Sequence, residues 1–352
     1  MSQITTVGVD LAKSVIVVCA ADAEGRVQFF KQLGFNAFGQ WAAALPPCTF
    51  GMEACSSAHY WGRRLTAQGH TARLMAAEFV KPFRKSQGAK NDRNDAQAIV
   101  TAMRQPDMRF VSVKSIDQQA ILAWHCMRKG WTDEKTALTN RLRGLLAEFG
   151  VWLPRSPEAL MRAIPELMED ERMPDRMRPL LTAAQAEIHR LDERIDACTL
   201  EIKGHAKHSE DAQRIEAVIG VGSITSSAIV ATVTDAKDFK NGRQMAAWLG
   251  LVPKQFSSGG KTSMGKITKR GDTYIRGLLF QGACSALMSA TRKPPEKRGR
   301  LQHWMVEARR RLGYYKAVVA IANKNVRMIW AILAKGESYD PNAWQRHAQP
   351  SA

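Results

Sequence analysis

Ile4-Thr5-Thr6-Val7-Gly8-Val9-Asp10-Leu11-Ala12-Lys13-Ser14-Val15-Ile16-Val17-Val18-Cys19-Ala20 is the stretch from which the fold is read. Ile4 to Asp10 predicts a strand running into Leu11-Ala12-Lys13, and Ser14 to Ala20 a second. Asp22-Ala23-Glu24-Gly25 supplies the turn into a third strand at Arg26 to Phe30, so the chain opens as an antiparallel meander. Working outward, Asn36 to Leu45 is helical and Cys48 to Glu53 is a short apolar strand ending on a carboxylate. Ala58 to Gln68 is an amphipathic helix closed by Gly69, and His70 to Met75 is another strand. Three strands followed by alternating helices and strands predict a mixed sheet with helices on its faces.

That is the ribonuclease H-like order, and it gives two isolated acids a context. Asp10 ends the first strand and Glu53 the fourth, where a mixed sheet places strand ends side by side. Gly88-Ala89-Lys90-Asn91-Asp92-Arg93-Asn94-Asp95-Ala96 then opens a helical run to Met103. With a helix beginning near Asp92, the carboxylates of Asp92 and Asp95 lie on one face, about 4.5 Å apart along the axis. A lone Asp-x-x-Asp of this kind also suits N-terminal capping and the helix dipole. Four clustered carboxylates without cations would repel one another, so Asp10, Glu53, Asp92 and Asp95 together point to hard divalent ions held by oxygen ligands. Two Mg²⁺ ions in such a site can stabilise both the attacking and the leaving oxygen of phosphodiester cleavage.

The 352 residues suggest two or three domains, and 45% apolar residues can supply their cores. A net charge of +18 favours a polyanionic partner, nucleic acid before membrane. Between Leu251 and Lys335 there are 18 basic and 3 acidic residues, against 13 and 8 between Met1 and Phe110, so the electrostatic footprint lies in the C-terminal third. Six cysteines without a Cys-x-x-Cys pair suggest neither a zinc site nor a disulfide framework, and fit a reducing cytoplasm. Val15 to Ala21 is too short to span a bilayer, and Lys324 and Arg327 interrupt the C-terminal apolar stretch. Neither a signal peptide nor a transmembrane helix is therefore expected.

Ile116 to Phe149 predicts a long helix. After Pro154 and Pro157 comes a proline-spaced segment to Pro179, and then a second long helix. Ala184, Ile188, Leu191, Ile195, Cys198 and Ile202 repeat as a heptad seam, which needs a partner helix. An intramolecular antiparallel hairpin and a homomeric coiled coil satisfy it equally. Arg214 to Val230 reads as helix, Ile219-Gly220-Val221-Gly222, helix. In such a helix-hairpin-helix, Gly220 and Gly222 either contact DNA phosphate or simply make the turn. Phe239 to Leu251 is a further helix with Trp248 in its core. Pro253 to Lys261 reads as a polar glycine-rich loop without periodicity. Lys254, Lys261, Lys266, Lys269 and Arg270 in and after it are candidate phosphate contacts. A helix starts at Thr273, amphipathic helices follow over Trp304 to Leu312 and Tyr315 to Ala334, and the tail beyond Ser338 is expected to be disordered.

The ordered combination of Val7-Gly8-Val9-Asp10-Leu11-Ala12-Lys13, Gly51-Met52-Glu53-Ala54, Lys90-Asn91-Asp92-x-x-Asp95-Ala96, the helix-hairpin-helix and Ser257-Ser258-Gly259-Gly260 resembles the DEDD-type transposases of bacterial insertion sequences. Their recombinases are directed by a structured bridge RNA. The resemblance covers nearly the whole chain. It implies a RuvC-like domain over residues 1–112 with Mg²⁺ on Asp10, Glu53, Asp92 and Asp95. A helical coiled-coil oligomerisation region over 113–208, a basic transposase domain over 209–337 and a tail over 338–352 would follow. It further implies a serine nucleophile, which falls on Ser258, a covalent serine–DNA intermediate, double-stranded DNA and guide RNA as partners, and dimers assembling into tetramers in the bacterial cytoplasm at the nucleoid. Two other readings use the same features. One is a RuvC-type endonuclease with water as nucleophile. The other is a non-catalytic architectural protein, against which four ordered acids argue, because unpaired carboxylates weaken DNA affinity.

Overall fold

The computed structural model describes residues 3–84, 91–258 and 260–341, with backbone alone at Lys261 and Thr262. It divides into two compact units, Met1–Ile116 and Asp117–Ala352. Gly88, Ala89 and Lys90 of the acidic stretch, and residues 342–352 of the tail, lie outside the described residues.

In the first unit, β1 (Thr6–Leu11), β2 (Ile16–Ala21) and β3 (Val27–Leu33) form the antiparallel meander. Asp22 makes the second turn, its Oδ1 accepting from the N–H groups of Glu24 and Arg26. The chain continues through α1 (Phe35–Ala43), β4 (Thr49–Glu53), α2 (Ala58–Ala67), β5 (Thr71–Met75), α3 (Ala77–Val80), α4 (Asp92–Met103) and β6 (Phe110–Val111). The strands lie in the order β3-β2-β1-β4-β5-β6, with β4 parallel to both β1 and β5 and β6 antiparallel to β5. This mixed sheet is compatible with the ribonuclease H-like order. The two-residue β6 has no counterpart in the sequence reading, because a pairing that short carries no period.

Side-chain alternation gives the sheet two buried faces. Val7, Val9, Phe50 and Met52 pack against Phe38 and Ala42 of α1 and Ala58, Trp61 and Leu65 of α2. On the opposite face, Val17, Cys19 and Ala21 meet Ala96 and Val100 of α4. Gly8 and Gly51 are partners across β1 and β4, on the α4 side. A Cβ at residue 8 would stand 2.2 Å from the Ala96 carbonyl oxygen, and one at residue 51 would stand 2.1 Å from Met103 Sδ. The helix therefore rests on bare strand backbone.

In the second unit, α5 (Ile116–Ala147) and α7 (Met177–His208) run antiparallel: Arg128 Nε donates to Thr199 Oγ1 at 2.8 Å, Lys135 pairs with Asp192, and Arg194 lies 5.6 Å from the Trp131 ring centre. Of the heptad positions, Ala184, Ile188, Leu191, Cys198 and Ile202 are buried and Ile195 half-buried. The proline-spaced segment contains a helix the sequence reading passed over, α6 (Pro157–Glu169). Pro157 sits in its first turn, where no backbone N–H is needed, and Ser156 Oγ accepts from Ala159 N–H at 3.1 Å. Its Leu160, Ile164 and Leu167 pack with Leu142, Leu146, Leu181 and Ile188. Pro179 likewise falls in the first turn of α7, so that helix starts before the proline rather than after it.

The rest of this unit comprises α8 (Glu210–Glu216), α9 (Ser223–Thr232), α10 (Gly242–Trp248), β7 (Pro253–Ser258), β8 (Lys261–Ile267), α11 (Thr273–Arg292), α12 (Arg300–Leu312) and α13 (Tyr314–Lys335). By length and composition α13 could cross a membrane. Here Val318, Ile321, Ala322, Val326 and Ile329 of α13 are buried in the core shared by α8 to α13. Its polar side chains hold loops: Asn323 Nδ2 donates to the Leu251 carbonyl at 3.1 Å and Trp330 Nε1 to that of Ala236 at 3.0 Å. A buried polar chain ties four helices together, with His125 Nδ1 2.9 Å from Tyr274 Oη and Ser227 Oγ between His125 Nε2 at 3.0 Å and His205 Nδ1 at 2.9 Å. Burial pushes the His125 pKa down to about 4, so the ring is neutral in that chain.

Three expectations need correction. The glycine-rich loop is an antiparallel hairpin, because backbone pairing of Gln255 to Ser258 with Lys261 to Met264 does not require an apolar period. Trp248 is 37% exposed against the Phe239 ring rather than in the core, since the helix expected over Phe239 to Leu251 runs only from Gly242 to Trp248. Tyr339 packs on the core, so order extends past Ser338.

Gly8→Ala should lower the stability of the full chain by about 1–3 kcal/mol, because its methyl meets a backbone carbonyl that cannot swing aside. Gly51→Ala should cost less, since Met103 can change rotamer. Thermal denaturation that ranks Gly51→Ala as the more damaging change would contradict this packing.

Candidate metal centre and nucleic-acid interface

The acids converge because α4 lies on the glycine pair. Asp10 and Glu53 each stand two residues beyond Gly8 and Gly51, hence on the same sheet face. The start of α4 is capped by Asn91, whose side-chain oxygen accepts from Arg93 N–H at 3.0 Å. Capping thus does not occupy the carboxylates of Asp92 and Asp95. One carboxylate oxygen each from Asp10, Asp92 and Asp95 lies within 4.8 Å of the others. Asp95 is buried, Asp10 half-buried and Asp92 exposed.

Glu53 adjoins this group through a cation. Arg84 Nε lies 2.9 Å from Asp95 Oδ1, and its Nη2 lies 3.3 Å from Glu53 Oε1. Asp10 registers the whole cluster: burial first, then the carboxylates of Asp95, Asp92 and Glu53, push its pKa up to about 6, while Arg84 opposes them. Negative charge concentrated on oxygen donors, with Arg84 the cation paired to it among the described residues, is the donor chemistry of hard divalent cations. Arg84 is a residue that sequence reasoning missed. No local pattern marks it, although a cluster of four acids implies some nearby cation.

In the second unit, the α8–α9 turn shows two different uses of glycine. Gly220, at φ +89°, is pressed on α11: a Cβ there would lie 2.6 Å from the Gly282 carbonyl oxygen. Asn325 Nδ2 fixes the same turn by donating to the Ile219 carbonyl at 2.9 Å. Gly222 precedes α9, is exposed, and has nothing within 4 Å of a hypothetical Cβ, so a ligand can approach its backbone.

The β7–β8 hairpin stands on a firm base. Thr268 N–H donates to the Val252 carbonyl at 2.9 Å and Lys269 N–H to that of Gly250 at 3.2 Å. Arg276 Nη1 bridges the carbonyls of Leu249 and Arg270 at 3.1 and 2.8 Å. Ser258 is exposed at the tip, paired with Lys261, whose side chain lies outside the description. Ser257 Oγ accepts from Gln255 Nε2 at 2.9 Å. Lys254, Lys266, Lys269 and Arg270 are all exposed along the hairpin and its base. The acids thus form one group in the first unit, and Ser258 and the basic side chains a second group in the other. Phe256, in β7 between Lys254 and Ser258, was overlooked, though an aromatic residue in a Gly/Ser/Lys-rich segment was a legible signal.

Comparison with known proteins matches both units. Residues 7–150 match the DEDD_Tnp_IS110 transposase profile, and residues 212–299 match the profile described as the transposase IS116/IS110/IS902 family. A Pseudomonas aeruginosa protein described as a probable family 20 transposase is 41% identical over 96% of this chain and 99% of its own. The transposase for insertion sequence element IS1111A of Coxiella burnetii is 36% identical over 96% of this chain and 92% of its own. That for IS1328 of Yersinia enterocolitica is 33% identical over 96% and 98%. A DEDD family implies divalent-metal use, with which the acidic cluster agrees. With its acids gathered in one unit and its basic hairpin in the other, the chain belongs to the IS110/IS116 family of insertion-sequence transposases and is a DNA transposase.

Proposed function

We propose that this transposase cuts and rejoins DNA through a serine nucleophile on the hairpin, working with divalent cations, two Mg²⁺, on Asp10, Glu53, Asp92 and Asp95. The observation that carries the reading is the convergence within 4.8 Å of hard oxygen donors from β1 and α4. Mg²⁺ bound there supplies positive charge to the scissile phosphate and favours the deprotonated form of an attacking hydroxyl. Asp95, on which Arg84 bears, and Glu53 hold their carboxylates toward the same charge, and α4 fixes Asp92 and Asp95 one turn apart.

Ser258 Oγ then gives up its proton and forms a bond to phosphorus while one backbone P–O bond breaks. The released deoxyribose hydroxyl takes up a proton. The serine–DNA diester conserves the bond energy, so the reverse attack by a new strand hydroxyl rejoins DNA without water. Gly220 and Gly222 at the α8–α9 turn, read as a helix-hairpin-helix, together with Lys254, Lys261, Lys266, Lys269 and Arg270, grip the duplex phosphates. Gly222 supports this by its openness, whereas Gly220 contributes through the turn it holds. The functional division runs 1–112 for the RuvC-like catalytic domain, 113–208 for the helical oligomerisation region with its coiled-coil seam, 209–337 for the basic transposase domain and 338–352 for the tail. A structured bridge RNA chooses the DNA, and dimers pairing into tetramers let acids and serine meet across protomers. The protein works in the bacterial cytoplasm, at the nucleoid.

With active protein, Mg²⁺ and element DNA, a denaturing gel should show a protein–DNA band that resists heat and detergent and vanishes on protease treatment. Ser258→Ala and Asp92→Ala should lack it, while Ser257→Ala keeps much of it. Cleavage by Ser258→Ala with release of a free 5′-phosphate would make water the nucleophile and the protein a RuvC-type nuclease.

Alanine at Asp10, Glu53, Asp92 or Asp95 should abolish cleavage yet leave nucleic-acid binding intact; near-wild-type recombination by any two of them would end the four-acid reading. DNA affinity itself should fall linearly with salt on logarithmic axes, with a slope near about −0.9 per neutralised phosphate. Salt-independent binding would contradict phosphate contact.

The raised Asp10 pKa adds a pH signature. Without divalent ions the folded protein holds a proton on Asp10 up to about pH 6, whereas an unperturbed aspartate releases it near 3.8. Proton uptake therefore favours the folded state at low pH, and this contribution is lost as pH rises through that window. Burial lowers the pKa values of His59 and His125 to about 4, which raises stability over the same range, so denaturation in EDTA from pH 4 to 7.5 should show the wild type losing stability relative to Asp10→Asn as pH rises. Equal profiles would mean that the cluster does not burden Asp10.

A further inference from the structure

The β7–β8 hairpin carries a feature that neither strand exchange nor phosphate gripping requires. All six residues of β7 are exposed, and Phe256 shows 62% of its surface. Phe256 pairs with Ser263 and Ser258 with Lys261, so the aromatic ring and the serine hydroxyl project from the same side of the ribbon, one pleat apart. Gly265 faces that side too: a Cβ there would stand 3.2 Å from Phe256 Cε2 and 3.6 Å from Lys254 Cβ. The edge of the ring thus reaches over Gly265 on the neighbouring strand, beside the stem of Lys254. Met264, paired with Gln255, is 59% exposed on the other side.

A single exposed Phe is ordinary on a protein surface. This one stands on a two-stranded ribbon slender enough for a DNA groove, beside exposed Lys254 and above exposed Lys266, Lys269 and Arg270. The surrounding cations select a polyanion, and within a polyanion only the bases offer a flat apolar partner for a ring. Apolar wedges inserted at base steps, and aromatic rings stacked on displaced bases, are established uses of such side chains.

We propose that Phe256 is a base-stacking wedge that receives a DNA base displaced from the duplex next to the phosphate presented to Ser258. The proposal rests on the DNA-binding reading of the basic unit, but not on Ser258 being the nucleophile. Displacing a base would loosen the backbone beside it, and stacking would hold it in one register relative to the hairpin tip.

The test uses the full chain and two DNA probes of one sequence, a fully paired duplex and the same duplex with a three-nucleotide mismatched bubble carrying 2-aminopurine. Wild-type protein should bind the bubble more tightly and change the 2-aminopurine fluorescence. Phe256→Ala should lose about ten-fold in bubble affinity together with the fluorescence change, while keeping its thermal midpoint, its paired-duplex affinity and its salt slope. Phe256→Trp should retain the preference, as should Met264→Ala on the opposite side and Ser258→Ala. The wedge is overturned alone if Phe256→Ala keeps the bubble preference or weakens both probes equally. Wild-type protein that binds neither probe removes the wedge and the DNA-binding reading together, whereas a missing covalent adduct with an intact bubble preference removes only the nucleophile.

Discussion

The carbonyl oxygen of Ala96 lies 2.2 Å from where the Cβ of any residue other than glycine at position 8 would have to be, too close for both. Gly51, its neighbour on β4, leaves the corresponding space for Met103 at the other end of the same helix. A helix that can approach a sheet this closely brings its first turn within reach of the strand ends. Asp10 then meets Asp92 and Asp95, which come from positions more than eighty residues later. With bulkier residues at the paired positions α4 would stand farther off, and carboxylates of fixed length could not share a ligand. The packing contact and the chemical site are thus one constraint expressed at two positions along each strand.

Gathering these acids has an electrostatic cost that shows on Asp10, the member flanked by the others. Its elevated pKa reports burial and like charge together, and the Arg84 guanidinium answers only part of it. Arg84 touches Asp95 and Glu53, so it spans the inner group and the acid at its margin. Carboxylates gathered in this way favour cation binding, because an incoming positive charge relieves the repulsion that the raised Asp10 pKa records.

The second unit solves a different problem, which is to hold an exposed hairpin in a defined place. Its core is built around α13, whose apolar face supplies the packing and whose Asn323, Asn325 and Trp330 side chains bind loop carbonyls directly. The hairpin base is locked by backbone bonds to the segment that follows α10 and by Arg276. Exposed lysines and Ser258 can therefore be displayed in solvent without the ribbon depending on its own apolar contacts. That separation of support from display explains why the strands carry no periodic signal.

Local patterns in the chain determined much of this protein. Short apolar runs bounded by turn residues in 4–30 and 48–75 specified the meander and the two strands that follow it. Asp10, Glu53, Asp92 and Asp95 were legible as acids at the ends of regular elements, and the concentration of lysine and arginine after residue 251 was legible as a polyanion surface. What period and composition do not carry was decided by tertiary structure. The Gly8–Gly51 seat depends on two strands distant in sequence lying in one register, and Arg84 finds Asp95 and Glu53 only after both have been placed. Gly220 became a packing residue because α11 crosses it, while the similar Gly222 stayed open. The β7–β8 ribbon, exposed on both sides and without an apolar period, is held by backbone pairing, so only the folded chain reveals that Phe256 and Ser258 share a face.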